Sequence, residues 1–152
     1  MAIERTYDLV ERMRSLGAPD PESWAQSEIT EDIAQEATWL LVRAIWASCI
    51  NGLTPDTVTR YAPASRAIEA GASVEDVIQA MRGYAYEAAF GVLQLLDAGD
   101  VEAPADAPGW TLDEVRYDED GNAHRTGRVL NGVYESLLTS DPSGLEGADF
   151  LR

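Results

Sequence analysis

Apolar residues recur every three or four positions through most of this chain, the spacing of helices that bury one side. Ile3, Tyr7, Val10, Met13 and Leu16 form a first stripe that Gly17 closes. A second run, Trp39 to Ile50, is apolar nearly all round and stops at Gly52. Its helix begins either at Asp20-Pro21-Glu22, which has the cap, proline and acid of a helix opening, or at Thr30. Thr54-Pro55-Asp56 repeats that opening, and Pro63 interrupts the helix early, leaving a short helix or kink before Ala64 to Ala70. Gly71 supplies a left-handed terminus, and Ser73 with Asp76 caps the next helix.

That helix carries Val74, Val77, Ile78, Met81, Ala85, Ala88, Ala89, Val92, Leu93 and Leu96 on a face expected to be core. Glu75, Gln79, Arg82, Tyr86 and Phe90 fall on the other side, where two aromatics need a partner. Gly83 marks a close helix crossing or is simply tolerated. Because the Trp39–Ile50 helix is apolar all round, it is either central or shared with an oligomer interface, and a homodimer seam using Trp39, Trp46 or both is expected.

From Asp97 to about Arg125 the helical pattern lapses. The first part is a Pro/Ala/Asp-rich loop, with Trp110, Leu112, Val115 and Tyr117 pinning its far end. The stretch around Asp120-Gly121-Asn122 has hairpin chemistry as an alternative. Helical spacing returns at Val129, Leu130, Val133, Tyr134, Leu137 and Leu138, and Asp141-Pro142-Ser143-Gly144 ends it. The expected fold is therefore all-α: a single-domain bundle of about five helices over residues 1–140, with an irregular or hairpin segment near 110–125 left open. Residues 141–152 read as a tail or linker.

The run Arg66-Ala67-Ile68-Glu69-Ala70-Gly71-Ala72-Ser73-Val74-Glu75-Asp76-Val77-Ile78-Gln79-Ala80-Met81-Arg82-Gly83-Tyr84 resembles the helical N-terminal domain of RsbR/RsbRD-type stressosome co-antagonists and PucR-type transcriptional regulators. Arg66, Gly71, Val74-Glu75, Ala80, Arg82 and Tyr86 match that pattern in kind. Met81 stands where an aromatic is usual, and Gly83 comes one place early. The resemblance spans roughly Ile29 to Leu96 and implies a non-enzymatic sensory or dimerisation domain, in relatives fused to a STAS or DNA-binding output module. The globin-like fold of some such domains raises haem, but no helix here offers a proximal histidine, so no cofactor is expected.

Charge narrows the partners. With 27 acids against 11 Lys plus Arg, the formal charge is -16, which repels phosphate backbones and anionic lipid surfaces. Neither nucleic acid nor membrane is expected as a partner, and a cytoplasmic location follows from the lack of a signal-peptide core or an apolar run near the ~20 residues of a membrane span. A MerR-like helix-turn-helix reading of Tyr61 to Met81 fails on the same ground, since Glu75 and Asp76 sit on the would-be reading helix.

Candidate chemistry is sparse. Cys49, in its apolar run, reads as a buried, inert thiol. Placing Gly121 at the sixth position of a calcium loop puts Arg116 first and Gly127 twelfth, so that motif fails and Asp118-Asp120 reads as a solvated turn. His124 has no second ligand at metal spacing, and no metal site is expected. Glu31, Asp32, Glu36 and Asp113-Glu114 read as helix-end charges and solvated faces. Arg43, Arg66 and Arg82 sit among apolar residues; surface pairing with Glu36, Glu69, Glu75 or Glu87 accounts for them. The sharper alternative has Arg82, with Tyr86 and Trp46, binding a small carboxylate or an aromatic effector.

The function expected from all this is a non-enzymatic signalling or regulatory domain acting through dimerisation or partner contacts, including a fused output module, with small-molecule sensing in addition. A stand-alone helical interaction or structural protein without ligand is the alternative. A small enzyme with an unrecognised site is the third.

Overall fold

The computed structural model describes residues 2–99 and 102–151. The side chain of Ile3 and residues 100 and 101, inside the expected loop, lie outside what is described. The chain is α1 (Ala2–Ser15), α2 (Pro21–Glu31), α3 (Gln35–Ile45), a π-helical turn (Trp46–Ile50), α4 (Pro55–Val58), α5 (Ala62–Glu69) and α6 (Val74–Ala98). Strands β1 (Asp113–Tyr117) and β2 (Ala123–Val129) follow, then α7 (Val133–Thr139). No described helix is long and apolar enough to cross a membrane.

The all-α expectation is corrected. Among the described residues there are 7 helices and the structure is 56% helical, but β1 and β2 form a two-stranded antiparallel sheet, so the class is mixed α/β, though mostly helical. The physical reason lies in residues 113–129. They lack helical spacing, and Gly121 at φ 82° turns the chain so that Arg116 pairs with His124 and Tyr117 with Ala123. A bulge then opens in β2: Val115 faces Arg125 while Asp113 faces Val129. Gly127, at φ 87°, lies within that bulge.

The structure divides into two compact units: Met1–Val42 with Gln94–Val133, and Arg43–Leu93 with Tyr134–Arg152. In the first unit, Asp20 caps α2 by accepting from Ser23 N–H, with Pro21 at the first turn. Asp32, in the left-handed region at φ 53°, ends it, so α2 and α3 are separate helices. Met13, Ala25, Ala34, Trp39 and Val42 form the buried core. Trp24 and Trp39 meet edge to face at 5.8 Å, and the Trp39 indole donates to Leu16 C=O at 3.1 Å.

In the second unit, Thr54 and Thr57 form a reciprocal capping box at α4, and Ser73 Oγ accepts from Asp76 N–H at the start of α6. Trp46, Ile50, Val58, Ile78, Tyr86, Leu93 and Leu137 are buried. The inward face of α6 keeps Ile78 and Leu93 of the expected stripe and adds Tyr86, with Arg82 and Phe90 half-buried beside it. Val92 is 56% exposed, and Ala88 and Leu96 are exposed with it. An aromatic ring buries far more area than an alanine, so the inward face takes in Tyr86 at the expense of Ala88.

The π-turn decides what its neighbours face. Asn51 N–H donates to Trp46 C=O at 2.8 Å, five residues back, so Trp46 and Ile50 are buried while Ala47, Ser48 and Cys49 point outward. Cys49 is therefore exposed, correcting the buried thiol expected from its apolar run.

Candidate functional site

Arg82 is the centre of the second unit's polar interior, and its side chain is only 13% exposed. Three elements supply its partners. Gln79, one turn earlier on α6, accepts from Nη1 at 2.9 Å. Asn51, carried in by the π-turn, accepts from Nη2 at 2.8 Å. The carboxylate of Asp149, from the segment after α7, accepts from Nη1 at 2.5 Å. The guanidinium lies 5.0 Å from the ring centre of Phe150, within cation–π range.

Aromatic rings close the site. Phe150 is 6.0 Å from Tyr86 and 6.1 Å from Trp46, and Trp46 is 6.3 Å from Tyr86. Tyr86 also meets Phe90, which packs edge to face on Tyr134 at 5.5 Å. Trp46 is held by its indole N–H donating to Leu137 C=O at 2.7 Å. Burial, with the Glu87 charge second, pushes the Tyr86 hydroxyl above its usual range, so it stays neutral. The Trp46–Arg82–Tyr86 grouping expected from the sequence is thus brought together. What fills the space between them is the chain's own Asp149 and Phe150.

The segment returns to Arg82 through a tight turn. The Asp141 carboxylate accepts from the N–H groups of Ser143 (2.9 Å) and Gly147 (3.0 Å) and from the Ser143 hydroxyl (2.8 Å). Burial pushes its pKa up, but these bonds and the Arg82 charge outweigh that and hold it below the usual carboxylate range. Gly147 sits at φ 75°, where a Cβ would stand 2.9 Å from Leu151 Cδ1. Gly83 lets the segment approach α6, since its missing Cβ would lie 3.4 Å from Phe150 C=O.

The pairing at Arg82 is incomplete. Arg82 Nε and Asp149 Oδ1 are buried with no hydrogen-bond partner among the described residues. Each such orphan costs about 1–3 kcal/mol.

A second polar cluster occupies the first unit. Glu28, Glu36 and Glu114 are all nearly fully buried, at 5%, 3% and 3% exposure. The β2 bulge aims Arg128 at Glu114, which it grips with Nε (2.9 Å) and Nη2 (2.8 Å). Arg128 also donates to Glu28 Oε1 (3.1 Å) and Ile33 C=O (3.2 Å). Arg12 and Arg116 donate to the two oxygens of Glu36, and Glu28 Oε2 accepts Glu36 N–H. Burial works to raise Glu114, yet bonds from Thr126 and Arg128 and the charges of Arg128 and Arg116 hold it below its usual value. Burial likewise works against Arg116 and Arg128, but Glu36 and Glu114 respectively, with their neighbours, raise both guanidinium groups.

Two open clefts share this cluster, of about 510 and 420 Å³. Asp8, Leu9, Asp32 and Thr126 complete the lining of the first, and Ala37, Leu40, Val115 and Tyr117 that of the second. Each carboxylate is met by guanidinium partners, which suits the cluster to fixing the hairpin. Among the described residues no group of His, Cys, Asp or Glu is arranged to hold a metal ion.

Sequence reasoning missed this cluster. Glu36 and Glu114 were expected on solvated faces, and Arg128 was not singled out; its partners lie 14 to 100 residues away. Trp39 and Trp46, expected at a homodimer seam, belong to the first and second unit and are 5% and 1% exposed. Arg66 is exposed. At the hairpin tip, Asp118 accepts from Asp120 and Asn122 N–H and lies 2.9 Å from His124 Nε2, a self-contained turn.

No family model matches the chain, and no curated protein or solved structure matches it either.

Proposed function

We propose that this chain is a non-enzymatic regulatory domain that senses a small carboxylate or aromatic effector at Arg82, Trp46 and Tyr86 and passes the response on through dimerisation or partner contacts. The observation that carries this reading is the incompletely paired Arg82, set against the Phe150 ring that itself packs on Trp46 and Tyr86, in a chain of net charge -16. An arginine fork with aromatic walls recognises a carboxylate and a ring together. The π-turn beside it is a further support, since such turns are frequent at functional sites. The resemblance of Arg66 to Tyr84 to sensory domains of co-antagonists and PucR-type regulators points the same way.

The test is calorimetric titration of phenylacetate, 3-phenylpropionate, succinate and indole into the full chain and its Arg82→Gln variant. Saturable binding by at least one, lost in the variant, is the expected result. Binding that Arg82→Gln leaves intact would sink the reading.

The alternative, an interaction protein without ligand, draws on a different observation. On α6, Tyr84 is 77% exposed and Val92 56% exposed, eight residues apart on one face. Light scattering across a concentration series would favour it if self-association appeared and was lost in Tyr84→Glu while no small molecule bound.

A further inference from the structure

The segment that fills the Arg82 site has the two chemical parts the site selects: a carboxylate on Asp149 and an aromatic ring on Phe150. They are adjacent in sequence and both touch the same guanidinium, one by a hydrogen bond of 2.5 Å and one by a ring centre at 5.0 Å. We infer that Asp149-Phe150 is an internal competitor for this pocket, and that the effector is a single small aryl carboxylate whose binding displaces the segment. This rests on the proposed role of Arg82 as an effector site and adds its regulation.

The fit of the internal occupant favours exchange. Asp149 reaches Arg82 through one oxygen only, while its other oxygen and Arg82 Nε are buried and unmatched among the described residues. A free carboxylate is not tied to a backbone and can orient both oxygens toward the donors. Tethering is what keeps the poorer ligand in place, because its effective concentration is high. The tether itself is thinly held. Leu145, Glu146 and Ala148 are exposed, and the turn depends on Asp141 and on the left-handed Gly147. Release of the segment exposes Phe150 and uncovers Gly83 on α6, a change of surface that a partner can read.

The experiment uses the full chain with 4-fluorophenylalanine at both phenylalanines, of which there are 2, so fluorine spectra contain one signal for Phe90 and one for Phe150. Phe150→Leu assigns them. Titration with 3-phenylpropionate is expected to move the Phe150 signal to its solvent-exposed position in step with calorimetric saturation. Phe150→Ala and Asp149→Asn, each relieving the competition, are expected to bind 3-phenylpropionate at least tenfold more tightly. If the unsubstituted chain binds and Arg82→Gln does not, but both tail variants bind as the unsubstituted chain does and the Phe150 signal stays put, the competition is refuted while the effector site stands. If neither the unsubstituted chain nor either tail variant binds any aryl carboxylate, both proposals fall.

Discussion

Arg128 in the first unit and Arg82 in the second are buried to nearly the same degree, with side chains 15% and 13% exposed, yet their surroundings differ in kind. Arg128 donates from Nε, Nη1 and Nη2, to two carboxylates and a backbone carbonyl, and its Glu114 partner accepts on both oxygens. Arg82 has one carboxylate, met on one oxygen, and an Nε with nothing to donate to among the described residues. Equal burial therefore does not mean equal commitment. A fully matched ion cluster is costly to open and holds a strand pair in place, whereas a half-matched one leaves room for a better partner.

That contrast can be tested in order of expected effect. Glu114→Ala leaves Arg128 with Glu28 as its one carboxylate beside the Ile33 carbonyl and is expected to lose about 3 kcal/mol, read as a lower midpoint in urea. A loss below about 1 kcal/mol would mean the cluster does not anchor the hairpin. Gly147→Ala, which places a Cβ at φ 75° and 2.9 Å from Leu151 Cδ1, is expected to cost about 1–2 kcal/mol. It should also speed chymotrypsin cleavage after Phe150; unchanged cleavage would show that the turn is not what seats the segment.

Removing both charges separates the two sites more finely. Arg82→Met with Asp149→Leu eliminates the two orphaned atoms, so thermal melting should stay within about 1 kcal/mol of the parent chain. Arg128→Met with Glu114→Leu should fall well below it, because Glu28 and Arg116 then lose partners. Equal losses at both sites would erase the distinction. The smallest effect is at the hairpin tip. The hydrogen bond from His124, with others from Asn122 and Asp120, lowers Asp118 from 3.8 to about 2. A depressed carboxylate stabilises above its unfolded value and loses that contribution as pH falls through the folded one. The melting-temperature gap between the parent chain and Asp118→Asn should thus close between pH 3.8 and about 2, and a gap that persists at lower pH would contradict it.

Local chemistry was readable from the sequence where a few neighbouring residues suffice. The Thr54-Pro55 opening, Gly71 and the Ser73–Asp76 cap all act within one turn, and the structure has each of them. The grouping of Trp46, Arg82 and Tyr86 was also legible, because aromatics and an arginine at helical spacing need a common partner. What covers them was not. Nothing local in Gly144 to Leu151 tells that Phe150 folds back on Arg82, and periodicity cannot distinguish a tail from a plug. The Glu28–Arg128 pairing spans 100 residues and is set by a bulge that no hydrophobic pattern encodes. On α6 the expected stripe holds at Ile78 and Leu93 but not at Ala88, Val92 and Leu96, because counting apolar positions weighs an alanine like the ring of Tyr86, which turns inward.

The π-turn at Trp46–Ile50 makes the winding of one short segment a determinant of which side chains turn inward. An α-helix advances each residue by about 100° around its axis, and the wider turn spreads an extra residue over nearly the same arc. Deleting one of Ala47, Ser48 or Cys49 would restore ordinary winding without touching a single side chain of the Arg82 site. Asn51 would then follow Trp46 by four residues, its N–H kept on Trp46 C=O by an ordinary α-helical bond, so Arg82 keeps its amide acceptor and only one of three outward side chains is lost.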